Sequence, residues 1–299
     1  MKKMFLVLLI FLILIGSFFL FFQDTKEKYS VSEKGIISYT NRQSVKYEKV
    51  SRILENENKT TDKFYFESHG VNVYGLLTIP KTVESDSSMK KPVFIVLPGA
   101  GGTKEGEERG ISKDLNEFGF ATFSLDPRGS GETVDRVTSF EEDFVSFSNK
   151  QEPFQQKMIY DVVRAFDFLK TRPEINTEKI YVAGESMGGR LAIIAAAIEP
   201  KIKGILAVST SGYKFPKQQT ETANIFLSSF DPDLYIGKIS PKVILMIHST
   251  NDTVIPIDFA KDTFSKAGEP KKFIEVNGTH GYTPDSTKEI LRKELDSWK

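Results

Sequence analysis

The chain has 299 residues, enough for one large domain or two small ones. Its 40 Lys and Arg balance its 40 Asp and Glu, so nothing in the charge suggests a nucleic-acid or strongly acidic partner. It has no cysteine, which excludes disulfides, thiolate nucleophiles, zinc–thiolate sites and lipid attachment to a thiol.

Met1-Lys2-Lys3 precedes an almost unbroken apolar run from Met4 to Phe22, interrupted only by Gly16 and Ser17. As a helix the run would be about 28 Å long, close to the hydrocarbon thickness of a bilayer. Such a helix has no polar face to turn outward from a soluble core. The run is longer than a usual signal-peptide core, and bulky Phe18 to Phe22 stand where small residues would precede cleavage. Residues 1–23 are therefore expected to be an uncleaved single-pass anchor, with a cleaved secretory signal as the alternative. Lys2 and Lys3 suggest a cytoplasmic N-terminus and an extracytoplasmic main domain, although Lys26 and Lys28 lie on the other flank.

Residues 24–44 are polar and mixed and read as a linker. Strand-like runs follow at Val45–Leu54, Lys63–Glu67 and Val71–Ile79, the last alternating as a half-exposed antiparallel strand does, with His69-Gly70 as the turn before it. Pro80 to Lys91 reads as a loop. From Val93-Phe94-Ile95-Val96-Leu97 onward, apolar strands alternate with helical patterns. The helices are predicted at Glu107–Phe118, Ile159–Leu169, Gly189–Ala197, Pro256–Ala267 and Thr287–Trp298. The strands are predicted at Ala121–Leu125, Ile180–Ala183, Ile205–Val208, Val243–Ile247 and Phe273–Val276. Antiparallel strands first and strand–helix alternation afterwards predict an α/β domain with a largely parallel sheet covered on both faces. No internal repeat is visible.

The chemistry concentrates at Gly184-Glu185-Ser186-Met187-Gly188, between the apolar strand and the small-residue helix. Strand, G-x-S-x-G, helix is the context of a nucleophile elbow. A sharp strand-to-helix turn leaves no room for side chains two positions either side of the serine, and glycine has none. The serine hydroxyl is then held out at the strand tip, and the Met187 N–H at the helix start can bind an oxyanion.

On these residues the chain resembles the α/β-hydrolase superfamily, and the order of its elements matches that layout from Val45 to Lys299. The resemblance implies a Ser-His-Asp triad in that chain order. His280, in the glycine-flanked loop Asn277-Gly278-Thr279-His280-Gly281 after the last strand, is then the base. His69 lies in the early hairpin, and His248 at a strand end is expected to serve packing or a local hydrogen bond. The segment His248 to Pro256 resembles the superfamily's G-x-x-D-x-x-V-P, with Ser249 where glycine is usual, and makes Asp252 the orienting acid. Asp231 and Asp233 precede the strand and fit that role less well. Pro98-Gly99-Ala100-Gly101-Gly102 resembles the H-G-x-G turn and implies Ala100 N–H as the second oxyanion donor, with Pro98 in place of the histidine. Lys104 at the sixth position rules out G-x-G-x-x-G, and Thr103-Lys104-Glu105 rules out a P-loop. Asp126-Pro127-Arg128-Gly129 resembles another turn of the superfamily, read as structural with Arg128 paired to a carboxylate.

The reading is a membrane-anchored serine hydrolase of carboxylic esters on residues 45–299, nearest in motif to the dienelactone-hydrolase and prolyl-oligopeptidase-like branches. Residues 210–242 leave room only for a short cap, and Glu132 to Pro153 is read as a polar loop with Phe140, Phe144 and Phe147 for lining, so short acyl chains are expected. The expected partners are a small-molecule ester and, through the N-terminal helix, the membrane. No cofactor, metal, nucleic acid or obligatory protein partner is implied. The alternatives are a prolyl-oligopeptidase-like peptidase, disfavoured by the short stretch before the domain, and a non-catalytic binding protein, disfavoured by an intact Ser/Asp/His set.

Overall fold

Strands that are apolar on both faces must be covered on both faces, and the computed structural model, which describes residues 28–81 and 90–299, has that arrangement. A short antiparallel hairpin comes first, β1 (Lys28–Val31) with β2 (Ile37–Thr40). The main sheet has nine strands in the order β11-β10-β9-β8-β6-β7-β5-β4-β3. Its antiparallel part is β3 (Tyr47–Glu55), β4 (Lys59–Ser68) and β5 (Val71–Pro80), and β5 meets β7 (Ala121–Leu125) antiparallel. From β7 the sheet is parallel through β6 (Lys91–Leu97), β8 (Ile175–Glu185), β9 (Gly204–Val208), β10 (Val243–Ser249) and β11 (Lys271–Val276).

The strand period of two sorts side chains into two cores. In β6, Val93, Ile95 and Leu97 enter the core built on α4 (Phe154–Leu169) and α5 (Met187–Ile198). Phe94 and Val96 enter the opposite core, closed by Ile111 and Leu115 of α2 (Ile111–Glu117), Leu291 and Leu295 of α9 (Pro284–Leu295), and Trp298. Helix α8 (Ile257–Ser265) adds Ala260 to the first core. The expected helix over Glu107–Phe118 is two helices, α1 (Lys104–Arg109) and α2, because Gly110 leaves helical geometry at ψ −124°.

Three further segments differ from expectation. The stretch 24–44, read as a linker, contains the β1–β2 hairpin. Ile37 is buried there, its N–H donates to the Tyr235 hydroxyl at 3.0 Å, and Tyr39 donates to Glu152 at 2.7 Å. The stretch 132–153, read as a loop, contains α3 (Phe140–Ser148), opened by a reciprocal pair in which Ser139 Oγ accepts the Glu142 N–H and Glu142 accepts the Ser139 N–H. Phe144 and Phe147 face a neighbouring helix, and Phe147 also lines a cavity of about 480 Å³ with Tyr29, Val31 and Ile225. The two rings pack on Phe226 of α6 (Glu221–Ser228) at 5.6 and 5.4 Å between ring centres, and Phe140 stacks on Phe230 at 5.8 Å. The stretch 210–242 carries α6, α7 (Pro232–Tyr235) and a 3-10 turn at Ile236–Lys238.

Arg128 is buried and structural. It donates to Asp161 at 3.0 and 2.7 Å, to Asp135 at 2.9 Å and to the Ser68 carbonyl at 2.9 Å. The expected anchor, residues 4–22, lies outside the described residues. Among the described residues no helix is long and apolar enough to cross a membrane.

Candidate active site

Strand β8 ends at Glu185 and helix α5 begins at Met187, so Ser186 is the whole connection. Its backbone sits at φ 50°, ψ −112°, in a region costing roughly 1–3 kcal/mol for a residue with a side chain. Surrounding bonds hold it there. Ser186 N–H donates to the Val208 carbonyl at 2.9 Å, and the Ser186 carbonyl accepts from Thr210 Oγ1 at 2.7 Å and Arg190 N at 3.2 Å. The flanking glycines are required by space. A Cβ on Gly184 would stand 2.4 Å from the Gly188 carbonyl carbon, and one on Gly188 would stand 2.1 Å from the Leu97 carbonyl oxygen.

The loop after β6 lies against the serine. A Cβ added to Gly99 would be 3.5 Å from Ser186 Cβ. Ala100 is exposed next to it, and Met187, as the first residue of α5, has no helical partner for its N–H. The loop is pinned behind by Lys104, fully buried, whose N–H donates to Asp126 Oδ1 at 2.9 Å and whose Nζ pairs with Asp126 Oδ2 at 2.6 Å. Pro98, where the resemblance expects histidine, is buried in this turn.

His280 and Asp252 meet, 28 residues apart in sequence, with Nδ1 to Oδ2 at 2.8 Å. The acid's other oxygen accepts the N–H groups of Val254 at 2.9 Å and Ile255 at 2.8 Å. Burial acts to raise the Asp252 pKa, but the donors Ile255, His280 and Val254 outweigh it and hold the carboxyl below its usual range. The histidine loop is docked on the elbow itself. Tyr282 N–H donates to Glu185 at 3.0 Å, and Gly281 N–H donates to Ser209 Oγ at 3.0 Å. The two other histidines lie apart from the loop. His69 pairs with Glu152 at 3.0 Å in the early hairpin, and His248 sits beneath the acid, 3.3 Å from Asp252 Oδ2. Asp231 caps α7, and Asp233 bonds Thr263 and Lys266, so neither faces His280. Among the described residues no three His, Asp or Glu side chains converge as metal ligands.

A nine-stranded, mostly parallel sheet with a strained serine turn at the tip of the interior strand β8 is the arrangement of an alpha/beta hydrolase fold. The family model described as alpha/beta hydrolase fold matches residues 92–239. The uncharacterized protein YfhR of Escherichia coli O157:H7 is 28% identical over 172 residues, 56% of this chain and 55% of that protein. Acetyl esterase Axe7A of Xylanibacter ruminicola is 27% identical over 146 residues, 46% of this chain and 32% of that protein. This chain thus spans about half or less of the length of these curated relatives. Among solved structures, the acetyl xylan esterase from Paenibacillus sp. R4 superimposes with a TM-score of 0.69 at 20% identity, covering 85% of this chain and 89% of that one.

A second carboxyl near the elbow was not legible in the sequence. Glu107 of α1 is buried, and its Oε2 has no hydrogen-bond partner among the described residues. Burial, then repulsion from Glu185 and Glu108, pushes its pKa up to about 8. The folded chain therefore keeps a proton at neutral pH that the unfolded chain, with an ordinary glutamate near 4.3, has lost. Stability from this group is complete at low pH and is lost as pH rises toward about 8. Glu107→Gln removes that titration. The fall in Tm between pH 5 and pH 8 should be smaller in Glu107→Gln than in the parent, and an equal fall would show that Glu107 is ionised in the native state.

Proposed function

We propose that this protein is a serine hydrolase that cleaves carboxylic esters through Ser186, His280 and Asp252. The observation that carries the proposal is the His280–Asp252 bond on a loop whose next residues dock onto Glu185 and Ser209, beside Ser186. With Nδ1 held by Asp252, Nε2 is the ring nitrogen left to act as base. Ser186 Oγ attacks the acyl carbonyl carbon while its proton passes to His280 Nε2. The oxyanion is held by the N–H groups of Met187 and Ala100. The tetrahedral species expels the alcohol, which leaves with the proton from His280, and the acyl group stays on Ser186. Water then attacks the acyl carbonyl carbon while its proton passes to His280 Nε2, and the second tetrahedral species expels Ser186 Oγ, which takes that proton back as the acid leaves. Asp252, kept ionised by its donors, stabilises the imidazolium at both stages. The names of the acetyl esterase and acetyl xylan esterase relatives favour an ester of a short acyl group.

An ester panel assayed with four proteins tests this. The parent should turn over acetyl to butyryl esters with higher kcat/KM than decanoyl esters, and kcat/KM should rise with pH between about 5 and 8, because an imidazole base must first lose its proton. Ser186→Ala and His280→Ala should lose most turnover, and Asp252→Asn should lose about 10⁴ in kcat. Near-normal kcat in Asp252→Asn, or kcat/KM climbing steadily to long chains, contradicts the proposal.

We further propose that residues 4–22 hold the domain at the extracytoplasmic face of the membrane. The full-length chain should stay with membranes through alkaline carbonate washing, and external protease should reach the domain in spheroplasts. A mature N-terminus beyond Phe22 would instead indicate a secreted protein.

A further inference from the structure

We infer that His248 is a positioning residue for the acid, a second imidazole that holds the Ile255 carbonyl, packs against the Asp252 carboxylate and so sets the direction in which that carboxylate receives His280. The inference rests on the triad reading above and extends it to a residue outside the triad.

His248 is the last residue but one of β10, four positions before Asp252, and is 1% exposed. Its Nε2 lies 2.8 Å from the Ile255 carbonyl oxygen and 3.3 Å from Asp252 Oδ2. Both neighbours are acceptors only, so Nε2 must carry the hydrogen. The tautomer is thereby set, and Nδ1 is left buried with no hydrogen-bond partner among the described residues. A buried acceptor without a partner costs about 1–3 kcal/mol. A residue serving packing alone would not need that cost. An aromatic or aliphatic side chain would fill the same space without it.

Three donors, with His248 packed beside them, divide the acid's two oxygens. Oδ1 takes the backbone N–H groups of Val254 and Ile255. Oδ2 takes His280 at 2.8 Å, with His248 at 3.3 Å on the buried side. The His248 ring N–H holds the Ile255 carbonyl, the end of the turn 252–255 whose N–H groups bind Oδ1, while the ring lies against Oδ2. Among the described residues, His280 is the hydrogen-bond partner of Oδ2. Burial first, and the charge of His280 as a lesser influence, lower the His248 pKa, and this keeps the ring a neutral donor at neutral pH. Glu275 of β11 stands in register with His248 and pairs with Lys261 of α8 at 2.8 Å. Asp252 and His280 are the charges that act on His248.

The test compares His248→Met, which fills the site without a donor, with His248→Gln, whose amide N–H reaches about as far as Nε2. Asp252→Asn is assayed beside them on a short-chain ester. His248→Met should lose about tenfold or more in kcat with KM within about twofold, by the usual cost of removing a group that orients a catalytic one. Its acid limb in kcat/KM should move to higher pH, since a turn no longer tied at Ile255 gives the carboxylate weaker N–H donors and leaves it holding the imidazolium of His280 more strongly. His248→Gln should recover most of both. If His248→Met does not fold, His248→Phe, also without a donor, takes its place against His248→Gln. A donor-less variant with native Tm, parental kcat and an unmoved limb overturns the inference, and so does equal impairment of the Gln and Met variants. An active Asp252→Asn would overturn the triad reading instead, so the two failures are distinguishable.

Discussion

The backbone of one residue constrains the rest of the site. Ser186 occupies φ 50° between the interior strand β8 and helix α5, a conformation that survives only if its surroundings over-determine it. They do so from three sides. The sheet supplies the Val208 carbonyl, the loop after β9 supplies Thr210, and α5 supplies the Arg190 N–H. The absence of Cβ atoms at Gly184 and Gly188 lets the helix start close enough to the Leu97 carbonyl for the turn to close. A side chain at either glycine would push α5 off the sheet before it touched any substrate.

The neighbouring loops are built to the same tolerance. The histidine loop is bound to the elbow through Glu185 and to the β9 loop through Ser209, so a shift of the serine carries the imidazole with it. The acid loop is closed on itself by the Val254 and Ile255 N–H groups and on β10 by His248. The loop carrying Ala100 is tied to the turn after β7 by the buried Lys104–Asp126 pair. The buried charges of Lys104 and Arg128 have ionic partners, which is the condition for burying charge without a large loss of stability. Glu107, whose Oε2 has no hydrogen-bond partner among the described residues, holds a proton instead.

The parts legible in the sequence are those with a strong local signal. Continuous apolar runs in β6, β8, β9 and β10 announced strands buried on both faces, and the glycine spacing around Ser186 announced the turn. The meeting of His280 with Asp252 followed from family order rather than from any local pattern, since 28 residues separate them. What escaped was short or depended on distant partners. The hairpin of β1 and β2 has strands of 4 residues, too few for alternation to stand out, and it is held by Tyr235 and Glu152 far along the chain. Helix α3 did carry a signal, Ser139-Phe140-Glu141-Glu142, a capping box that the polar composition around it obscured. The split at Gly110 and the place of His248 beneath the acid are settled by tertiary packing, to which neither residue's neighbours in sequence point.

The central claim is that the strained serine is an activated nucleophile. Labelling the full-length protein with a fluorophosphonate, followed by peptide mapping by mass spectrometry, tests it most directly. The account predicts one phosphonyl adduct, on the peptide bearing Ser186, formed at a rate that falls when His280 is replaced by alanine. An adduct on another residue, or labelling of Ser186 that is indifferent to His280, would contradict it.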